Sequence, residues 1–454
     1  MKINILNKNY WKTIPFLGLM VVSMLFTACE NNESVGGGEI IISKVYLEDV
    51  NSSVQDREVT FARLGQLLRI EGSGFTGLKK VYINGLSTYF NPVYISKNSM
   101  LISVSGETPI VEATEDVRNT IRFVNDNHEA LISFEIRSSA PTITNISNTL
   151  PLPGETVTVY GTGLTEVRKV TFPGNIEVTT GITDGDEGKS FTVVVPNGVS
   201  PDGGSLFIEC SNGGAYSPAY FNFKKGLLLN FDGTGSHGFW GASTSMIQDV
   251  DLESASIGAE NVSQGKYVAH RPARITSFAA ATNRDSEVWT GGGDWRALLT
   301  SYIPATTPLG EVALQFDIYV PTAWKNSGFL KVCLINNFNG GEWAGGVYNY
   351  VPWLVDGKVV PFQTAGWTTV TIPLNKFYRF ADADYTFEDV LAFREAATYS
   401  NFGLFFENSD IKLKDVTGVD SDIEFPSATT SVNVYTDNWR IVSLKTPTFS
   451  DFPE

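Results

Sequence analysis

Large aromatic side chains stand in glycine- and asparagine-rich segments of the C-terminal half of this chain, at 289–295 and 336–353. An aromatic residue in such a loop gains little from core burial, so its presence predicts contact with another molecule. The apolar C–H face of a pyranose ring stacks on indole or phenol, whereas its hydroxyl groups need amide, carboxylate or guanidinium partners. The candidate stacking residues are Trp289, Trp295, Trp343, Tyr350 and Trp353. The candidate polar partners are Asp294, Arg296, Asn337, Asn339 and Glu342.

Two other interpretations of these aromatic residues stay open at this point. They could form a patch that binds a protein, or their rings could pack into a core. Trp367 and Trp439 lie in or beside alternating segments, and we expect these two in the core. Eight of the nine tryptophans lie at or beyond residue 240, whereas Trp11 lies near the N-terminus. Composition therefore predicts that residues 225–454 form the binding domain.

Short β-strands are the elements that must position these side chains. Residues 313–320, 369–372 and 432–435 alternate between apolar and polar side chains, which is the period of a strand with one buried face. Residues 387–394 place Phe387, Val390, Leu391 and Arg394 on one face, which predicts a short helix. Residues 225–454 have an ordinary length for one β-sandwich, and we expect a jelly roll of the kind found in carbohydrate-binding modules.

An internal repeat precedes this domain. Nine positions recur at a constant separation of 89 residues without a gap, which chance would rarely produce. Each unit contains an alternating strand, a glycine turn and a second alternating strand. The pairs are Gly65/Gly154, Leu68/Val157, Ile70/Val159, Gly72/Gly161, Gly74/Gly163, Phe75/Leu164, Val81/Val170, Ile83/Phe172 and Gly85/Gly174. The repeat predicts two similar β-domains in tandem, at 40–138 and 139–224.

The first residues have the pattern of an export signal. Lys2, Lys8 and Lys12 form a basic region, and the apolar residues 14–26 that follow are too few to span a bilayer. Small residues then lead directly to Cys29, and acidic residues and glycines come after it. We expect a signal peptide at 1–28, an acylated Cys29 and a flexible tether over 29–39.

The overall charge excludes some partners. The chain carries 33 basic and 49 acidic residues, a formal charge of -16. Such a surface repels polyanions, so we expect no nucleic-acid partner. A neutral ligand is more compatible with this charge. Cys210 and Cys333 lie in apolar strands of different predicted domains, so we expect buried thiols rather than a disulfide. The three histidines are scattered, which argues against a histidine-rich metal centre.

Three groups of residues resemble known families. The segment ending at Ala28-Cys29 resembles a bacterial lipoprotein signal, and the acidic stretch after it resembles the surface-export signal of Bacteroidota lipoproteins. The repeated strand and glycine pattern resembles the IPT/TIG type of immunoglobulin-like domain, which usually serves as a spacer. Residues 350–353 (YVPW), 364–374 (TAGWTTVTIPL) and 437–442 (DNWRIV) resemble the C-terminal domain of surface glycan-binding proteins from Bacteroidota polysaccharide utilisation loci.

The last resemblance implies a complete layout. The fold would be all-β, with two tandem Ig-like (IPT/TIG) β-sandwiches followed by the jelly-roll sandwich. The implied ligand is a neutral β-glucan such as xyloglucan, mixed-linkage glucan or β-1,3-glucan. The implied setting is the outer surface of the outer membrane, beside a TonB-dependent transporter and its partner lipoprotein. The residues carried over by the resemblance are Trp343, Tyr350 and Trp353.

Two further possibilities concern catalysis and metal. A glycoside hydrolase needs two carboxylates flanking the scissile bond, and no framed E-x-D-x-x-E motif of β-jelly-roll glucanases is present. We therefore expect a binding protein rather than an enzyme, with a surface hydrolase or a protein-binding adhesin as the alternatives. Asp232 and Asp437 belong to the first and last strands of the domain and are candidate ligands for a structural Ca²⁺; no other cofactor is expected.

Overall fold

The computed structural model describes residues 37–50, 52, 54–238, 245–254, 265–275, 283–290, 293–337, 341–381, 383–417 and 420–451. Cys29 and the export signal, together with Trp240 and Asn339, lie outside the described residues. The chain divides into two compact units, Met1–Ile136 and Arg137–Glu454. As predicted, the described secondary structure is dominated by β-strands, and all named strand pairs are antiparallel.

The first unit is a small β-sandwich. One four-stranded sheet has the order Arg57–Glu58, Ile41–Glu48, Leu67–Ser73, Ser99–Ser103. The other has the order Leu86–Thr88, Lys80–Ile83, Thr120–Val124, Glu129–Ser133. A short ladder pairs Phe61–Arg63 with Glu135–Arg137. Leu68, Ile70 and Phe75 have no exposed surface and form its core with Val81 and Ile83.

The second unit begins with a sandwich of the same design. Its first sheet has the order Thr142–Ile146, Thr156–Thr162, Ser190–Val194, Ile182–Asp184. Its second sheet has the order Ile176–Val178, Lys169–Phe172, Phe207–Cys210, Gly213–Tyr216. Strands Leu67–Ser73 and Thr156–Thr162 are separated by the predicted 89 positions, as are Lys80–Ile83 and Lys169–Phe172. The repeat in the sequence is therefore also a repeat in the structure.

A close approach between strands explains one repeated glycine pair. A Cβ atom on Gly72 would lie 2.0 Å from the carbonyl oxygen of Ile41, and one on Gly161 would lie 1.8 Å from that of Thr142. In both sandwiches the first strand is bulged next to this contact, between Ile42 and Lys44 or between Ile143 and Asn145. Only glycine leaves room for the crossing backbone at these two positions.

The C-terminal domain consists of two larger sheets packed face to face. One contains Leu252–Glu253, Tyr267–His270, Val434–Ser443, Val312–Tyr319 and Thr368–Pro373 in that order, with Leu227–Leu229 also paired to Val434–Ser443. The other has the order His237–Gly238, Arg284–Thr290, Phe402–Glu407, Phe329–Cys333, Val347–Tyr350. Two short hairpins pair Leu354–Val355 with Lys358–Val359, and Ile411–Lys412 with Glu424–Phe425. Trp439 and Trp367 are buried, and so are the unpaired thiols of Cys210 and Cys333, all as predicted.

Four short helices connect these strands: α1 (Trp295–Leu299), α2 (Glu342–Gly345), α3 (Phe387–Glu395) and α4 (Leu413–Thr417). The predicted helix is α3, and it buries Phe387, Val390, Leu391 and Arg394. Thr386 begins α3 with a capping box, because its backbone N–H donates to the Asp389 carboxylate at 2.8 Å. This helix forms one wall of the site described below.

The second Ig-like sandwich and the C-terminal domain share a buried interface within the second unit. Ala313 and Val442 belong to C-terminal strands, yet they are fully buried in the hydrophobic cluster of the Ig-like sandwich. Near the C-terminus, Phe449 packs against Phe207 with ring centroids 5.1 Å apart. The boundary predicted at residue 224 thus separates two sandwiches that belong to one compact unit.

A buried ion pair lies at this interface. The Arg440 guanidinium donates to Asp317 at 3.0 Å and to the Thr149 hydroxyl of the Ig-like sandwich at 2.7 Å. The hydroxyl of Thr369 donates to Asp317 at 2.9 Å, and the Thr369 N–H donates to the Ser147 carbonyl at 2.7 Å. Both charged side chains have no exposed surface. The polar groups at the interface are therefore paired across the two sandwiches.

Candidate functional site

An open cleft of about 560 Å³ lies between the C-terminal end of α3 and the segment that joins strands Phe329–Cys333 and Val347–Tyr350. Its lining residues are Ile335, Asn336, Asn337, Ala344, Arg379, Phe393, Ala396, Ala397, Thr398 and Tyr399. Tyr399 is 65% exposed, and Trp343, next to the lining residue Ala344, is 52% exposed. These two are the most exposed aromatic side chains among the described residues of the C-terminal domain.

The two walls of the cleft are joined by polar contacts. The Asn336 N–H donates to the Tyr399 carbonyl at 3.3 Å. Arg379 donates to the Trp343 carbonyl at 3.4 Å, and its guanidinium lies 4.3 Å from the centre of the Phe393 ring. The described lining offers amide, hydroxyl and guanidinium groups and contains no Asp or Glu. The described lining thus presents hydrogen-bonding groups beside exposed aromatic rings and contributes no carboxylate.

A buried arginine contacts the backbone of both walls of the cleft. Arg394 projects from α3 and donates to the Leu334 carbonyl and, at 2.6 Å, to the Ser400 carbonyl. Its guanidinium lies 3.7 Å from the centre of the Trp295 ring. Burial lowers the pKa of Arg394 to about 9, so it is charged at neutral pH. Because Leu334 precedes Ile335 and Ser400 follows Tyr399, this one side chain fixes the backbone at both edges of the cleft.

The prediction that Trp289, Trp295 and Trp353 are stacking platforms is wrong, because all three are buried. Trp353 has no exposed surface, and its indole N–H donates to the Gly328 carbonyl at 2.9 Å. Trp289 is likewise unexposed and packs against Phe405. Trp295 and Trp353 belong to the main hydrophobic core of the C-terminal domain, and Trp289 belongs to a smaller cluster that includes Phe405. Trp295 instead supports Arg394.

Tyr350 also serves mainly to pack against other aromatic side chains of the C-terminal domain. It is half-buried, and its ring meets Phe316 and Phe362 edge-on at centroid distances of 5.6 and 6.3 Å. Burial raises the pKa of its hydroxyl. Of the predicted platform residues, Trp343 alone is well exposed, so its stacking role stays a prediction.

The predicted polar partners of the glycan do not all lie in the cleft. Asn337 lines the cleft, as a role in binding requires. Asp294 caps α1 by accepting from the Ala297 N–H at 2.9 Å, and Arg296 is paired with Glu388 and Glu395. Glu342 lines a second, smaller polar cleft with Lys331, Glu407, Asp410 and Asp415. Asp294, Arg296 and Glu342 therefore do not join Asn337 in the lining.

Sequence reasoning missed Tyr399, Asn336, Thr398 and Arg379. Tyr399 stands in a Thr-Tyr-Ser-Asn segment directly after α3. An aromatic residue among small and polar ones was the feature that identified Trp343 in the sequence. Tyr399 has the same feature. Tyr399 lies close to Asn336 because α3 ends beside the segment that joins strands Phe329–Cys333 and Val347–Tyr350. The sequence alone does not give this arrangement.

Asp437 is a buried carboxylate with an unusual environment. It has no exposed surface, and neither of its oxygens makes a hydrogen bond to the described residues. Burial raises its pKa well above the ordinary value, with Asp317 and Asp232 adding to the effect and the nearby Asn438 N–H and Arg440 opposing it. Asp232 is exposed and accepts from the Lys266 N–H at 3.0 Å. The two predicted calcium ligands thus interact electrostatically, but the described residues contain no group of three or more His, Cys, Asp or Glu suited to a metal.

Comparison with known proteins identifies the family. The profile of the surface glycan-binding protein B xyloglucan binding domain matches residues 221–443. The C-terminal domain belongs to the surface glycan-binding protein B family. An IPT/TIG domain-containing protein of Bacteroides ovatus is 25% identical over 314 residues, which are 69% of this chain. The chain spans about half of that relative, 55% of its length.

The solved structure of a surface glycan-binding protein shows the same fold. Surface glycan-binding protein PbSGBP-B from Prevotella bryantii is 18% identical and superposes with a TM-score of 0.62, over 90% of this chain and 100% of that one. An SGBP-B from a complex xyloglucan utilization locus in Bacteroides uniformis is 18% identical over 89% of this chain and 99% of that one, with a TM-score of only 0.44. The predicted all-β fold and the predicted family are confirmed, and the cleft lies within the part of the chain that matches the glycan-binding domain.

Proposed function

We propose that this surface glycan-binding protein holds a neutral β-glucan, with xyloglucan the first candidate, in the cleft beside Trp343 and Tyr399. The observation that carries the proposal is the pair of exposed aromatic rings beside a lining that offers amides and a guanidinium but no carboxylate. Each ring that removes ~100 Å² of apolar sugar surface from water would contribute about 2.5 kcal/mol. The amide and hydroxyl groups would then select the orientation of the sugar.

Charge and family support the proposed ligand class. The formal charge of -16 disfavours an acidic polysaccharide, and neither the lining nor a neutral glucan depends on ion pairing. The match to a xyloglucan binding domain supports xyloglucan before mixed-linkage or β-1,3-glucan. Calorimetric titration with xylogluco-oligosaccharide and with mixed-linkage oligosaccharide tests this choice. Absence of binding to both would overturn it.

The second polar cleft keeps glycoside hydrolysis as the alternative function. It gathers Glu342, Glu407, Asp410 and Asp415. However, Glu407 is paired with Lys331 at 3.0 Å, and hydrogen bonds from the Ser427 N–H and hydroxyl lower the pKa of Asp410. A general acid in a glycosidase needs a raised pKa, so this arrangement favours structure over catalysis. Release of reducing sugar by the wild-type protein, abolished by Glu342→Gln, would establish the alternative.

We further propose that Cys29 carries the lipid anchor of a surface lipoprotein, which passes glycan to a TonB-dependent transporter and its partner lipoprotein. Support comes from the basic region, the short apolar stretch and the small residues before Cys29. Within the described residues, no helix has the length and apolar character needed to cross a bilayer. Several acyl chains on one cysteine give stable membrane attachment, which a single chain does not.

The anchor makes a prediction about cell fractions. We expect Cys29→Ala to move the protein from the membrane fraction to the soluble fraction, because the acylation site is lost. Replacing Glu30 and Glu33 with Gln should leave the protein on the membrane but protect it from protease added to intact cells. Unchanged membrane association of Cys29→Ala would contradict the anchor, and unchanged protease access in the second variant would contradict the surface signal.

A structural Ca²⁺ at Asp437 is a separate proposal. The buried Asp437 carboxylate fits a cation, and Asp232 supplies a second carboxylate. Calcium takes six to eight oxygens, so backbone carbonyls or water would have to complete the site. If it binds, Ca²⁺ at about 100 times its Kd should stabilise the fold by about 2.7 kcal/mol.

Thermal unfolding with Ca²⁺ and with a chelator tests this proposal. We expect a higher Tm with Ca²⁺ for the wild type and no response for Asp437→Asn. Should Asp437→Asn instead be more stable than the wild type in both conditions, the carboxylate is an uncompensated buried acid and the calcium proposal fails.

A further inference from the structure

The loop 89–94 of the first unit exposes a cluster of apolar side chains. Tyr89 is 81% exposed, Val93 is 82% exposed and Tyr94 is 57% exposed. Single exposed apolar residues are common on protein surfaces, but three within six positions of one loop form a denser group than scattered exposure produces. This was not expected, since the Ig-like domains contain no tryptophan and were predicted to act only as spacers.

Two of these side chains, Val93 and Tyr94, lie on a well-defined turn. Pro92–Tyr94 form a single 3₁₀ turn, and the Asn91 side chain caps it by accepting from the Val93 N–H at 3.0 Å. The Tyr94 N–H donates to the Asn91 carbonyl at 3.0 Å, and the Ile95 N–H to the Pro92 carbonyl at 3.2 Å. An ordered support lowers the entropic cost of binding through exposed side chains.

The internal repeat shows that the fold does not require these residues. Val178 pairs with Val170 as Thr88 pairs with Val81, so Thr179 of the second Ig-like domain corresponds to Tyr89. Residues 179–189, which lead to the next long strand of that domain, contain no aromatic side chain. The two domains otherwise share their strands and their core positions, as described above. The tyrosines are therefore an addition to this fold rather than part of its packing.

Size and charge indicate which partner the cluster fits. Lys97 is the only charged side chain in residues 86–100, so the surface suits a neutral ligand. The three side chains expose on the order of 400 Å². A stable protein interface needs about 800 Å² from each partner, whereas stacking on a sugar ring needs only ~100 Å² of apolar surface for each aromatic side chain.

We propose that Tyr89 and Tyr94 form a second glycan-contacting site, which takes the same neutral polysaccharide as the C-terminal domain. The inference rests on the proposed function of that domain and adds a second point of contact on the same chain. A long polysaccharide can engage both sites of one molecule, which raises its apparent affinity without any new contact at the cleft. A short oligosaccharide occupies one site at a time.

The test compares polymer and oligomer binding by the full mature chain. The probes are soluble xyloglucan and soluble mixed-linkage glucan, each with its own oligosaccharide. We expect Tyr89→Ala combined with Tyr94→Ala to weaken polysaccharide binding by about tenfold or more and to leave oligosaccharide binding at the cleft unchanged. Tyr160→Ala is the matched control, because Tyr160 is a 42% exposed tyrosine of the second Ig-like domain without aromatic neighbours of this kind in sequence.

The possible outcomes separate the two proposals. Unchanged polysaccharide affinity in the double variant, with oligosaccharide binding intact, overturns the second site and leaves the function of the cleft standing. Equal loss in the Tyr160→Ala control would also overturn it, since the effect would then not depend on the cluster. Failure of the wild type to bind any of the probes overturns both proposals. Thermal unfolding of the double variant should match the wild type, because the replaced side chains are exposed.

Discussion

Replacing Asp317 with Asn is expected to lower the free energy of unfolding of the second unit by about 3–5 kcal/mol. The substitution keeps the shape of the side chain but deprives the Arg440 guanidinium of the carboxylate to which it donates, and both groups have no exposed surface. It also weakens the acceptor used by Thr369 and by the Asn438 amide. Urea denaturation, followed by tryptophan fluorescence, measures the effect.

A surface ion pair of the same unit provides the control. Lys169 and Glu209 lie 2.7 Å apart with partly exposed side chains, so Glu209→Gln should cost less than about 1 kcal/mol. From the same interface we expect residues 225–454 alone to be less stable than residues 137–454. Without the Ig-like sandwich, Ala313 and Val442 lose the apolar side chains that bury them. A cost for Asp317→Asn no larger than that of Glu209→Gln would show that the buried pair does not hold the two sandwiches together.

Combining Trp343→Ala with Tyr399→Ala is expected to bring oligosaccharide binding close to or below detection. Each ring removed should cost about 1–3 kcal/mol, so the pair costs about 2–6 kcal/mol, or at least about 30-fold in affinity. Folding should survive, because the two side chains are 52% and 65% exposed. Affinity of the wild type should also change little with salt, since neither the ligand nor the cleft depends on charge.

Two controls distinguish lost platforms from lost structure. Tyr302 is a 44% exposed tyrosine that does not line the cleft, so Tyr302→Ala should bind as the wild type does. Trp353→Ala should destabilise the domain by about 3–5 kcal/mol, because it empties a buried site. Normal binding by the Trp343/Tyr399 double variant would refute the cleft as the glycan site.

The sequence by itself determined the architecture, because that information is local and periodic. Alternation over 313–320 predicted the strand found at Val312–Tyr319, a 3.6-residue period predicted α3, and the 89-residue repeat predicted two related sandwiches. Gly72 and Gly161 marked positions where one backbone crosses another too closely for any side chain. In each case the residues that carry the pattern are neighbours in the chain, so their spacing alone restricts the structure.

Which aromatic side chains reach solvent was decided only by the tertiary structure. The glycine-rich surroundings of Trp289, Trp295 and Trp353 resembled those of Trp343, but burial depends on contacts between distant segments. Trp295 meets Arg394, about a hundred positions away, and Trp353 meets Gly328 across two strands. The pairing of Arg440 with Asp317 and Thr149 likewise joins residues from two domains. No local period encodes such contacts, because they arise when whole sheets and loops pack and exclude water together.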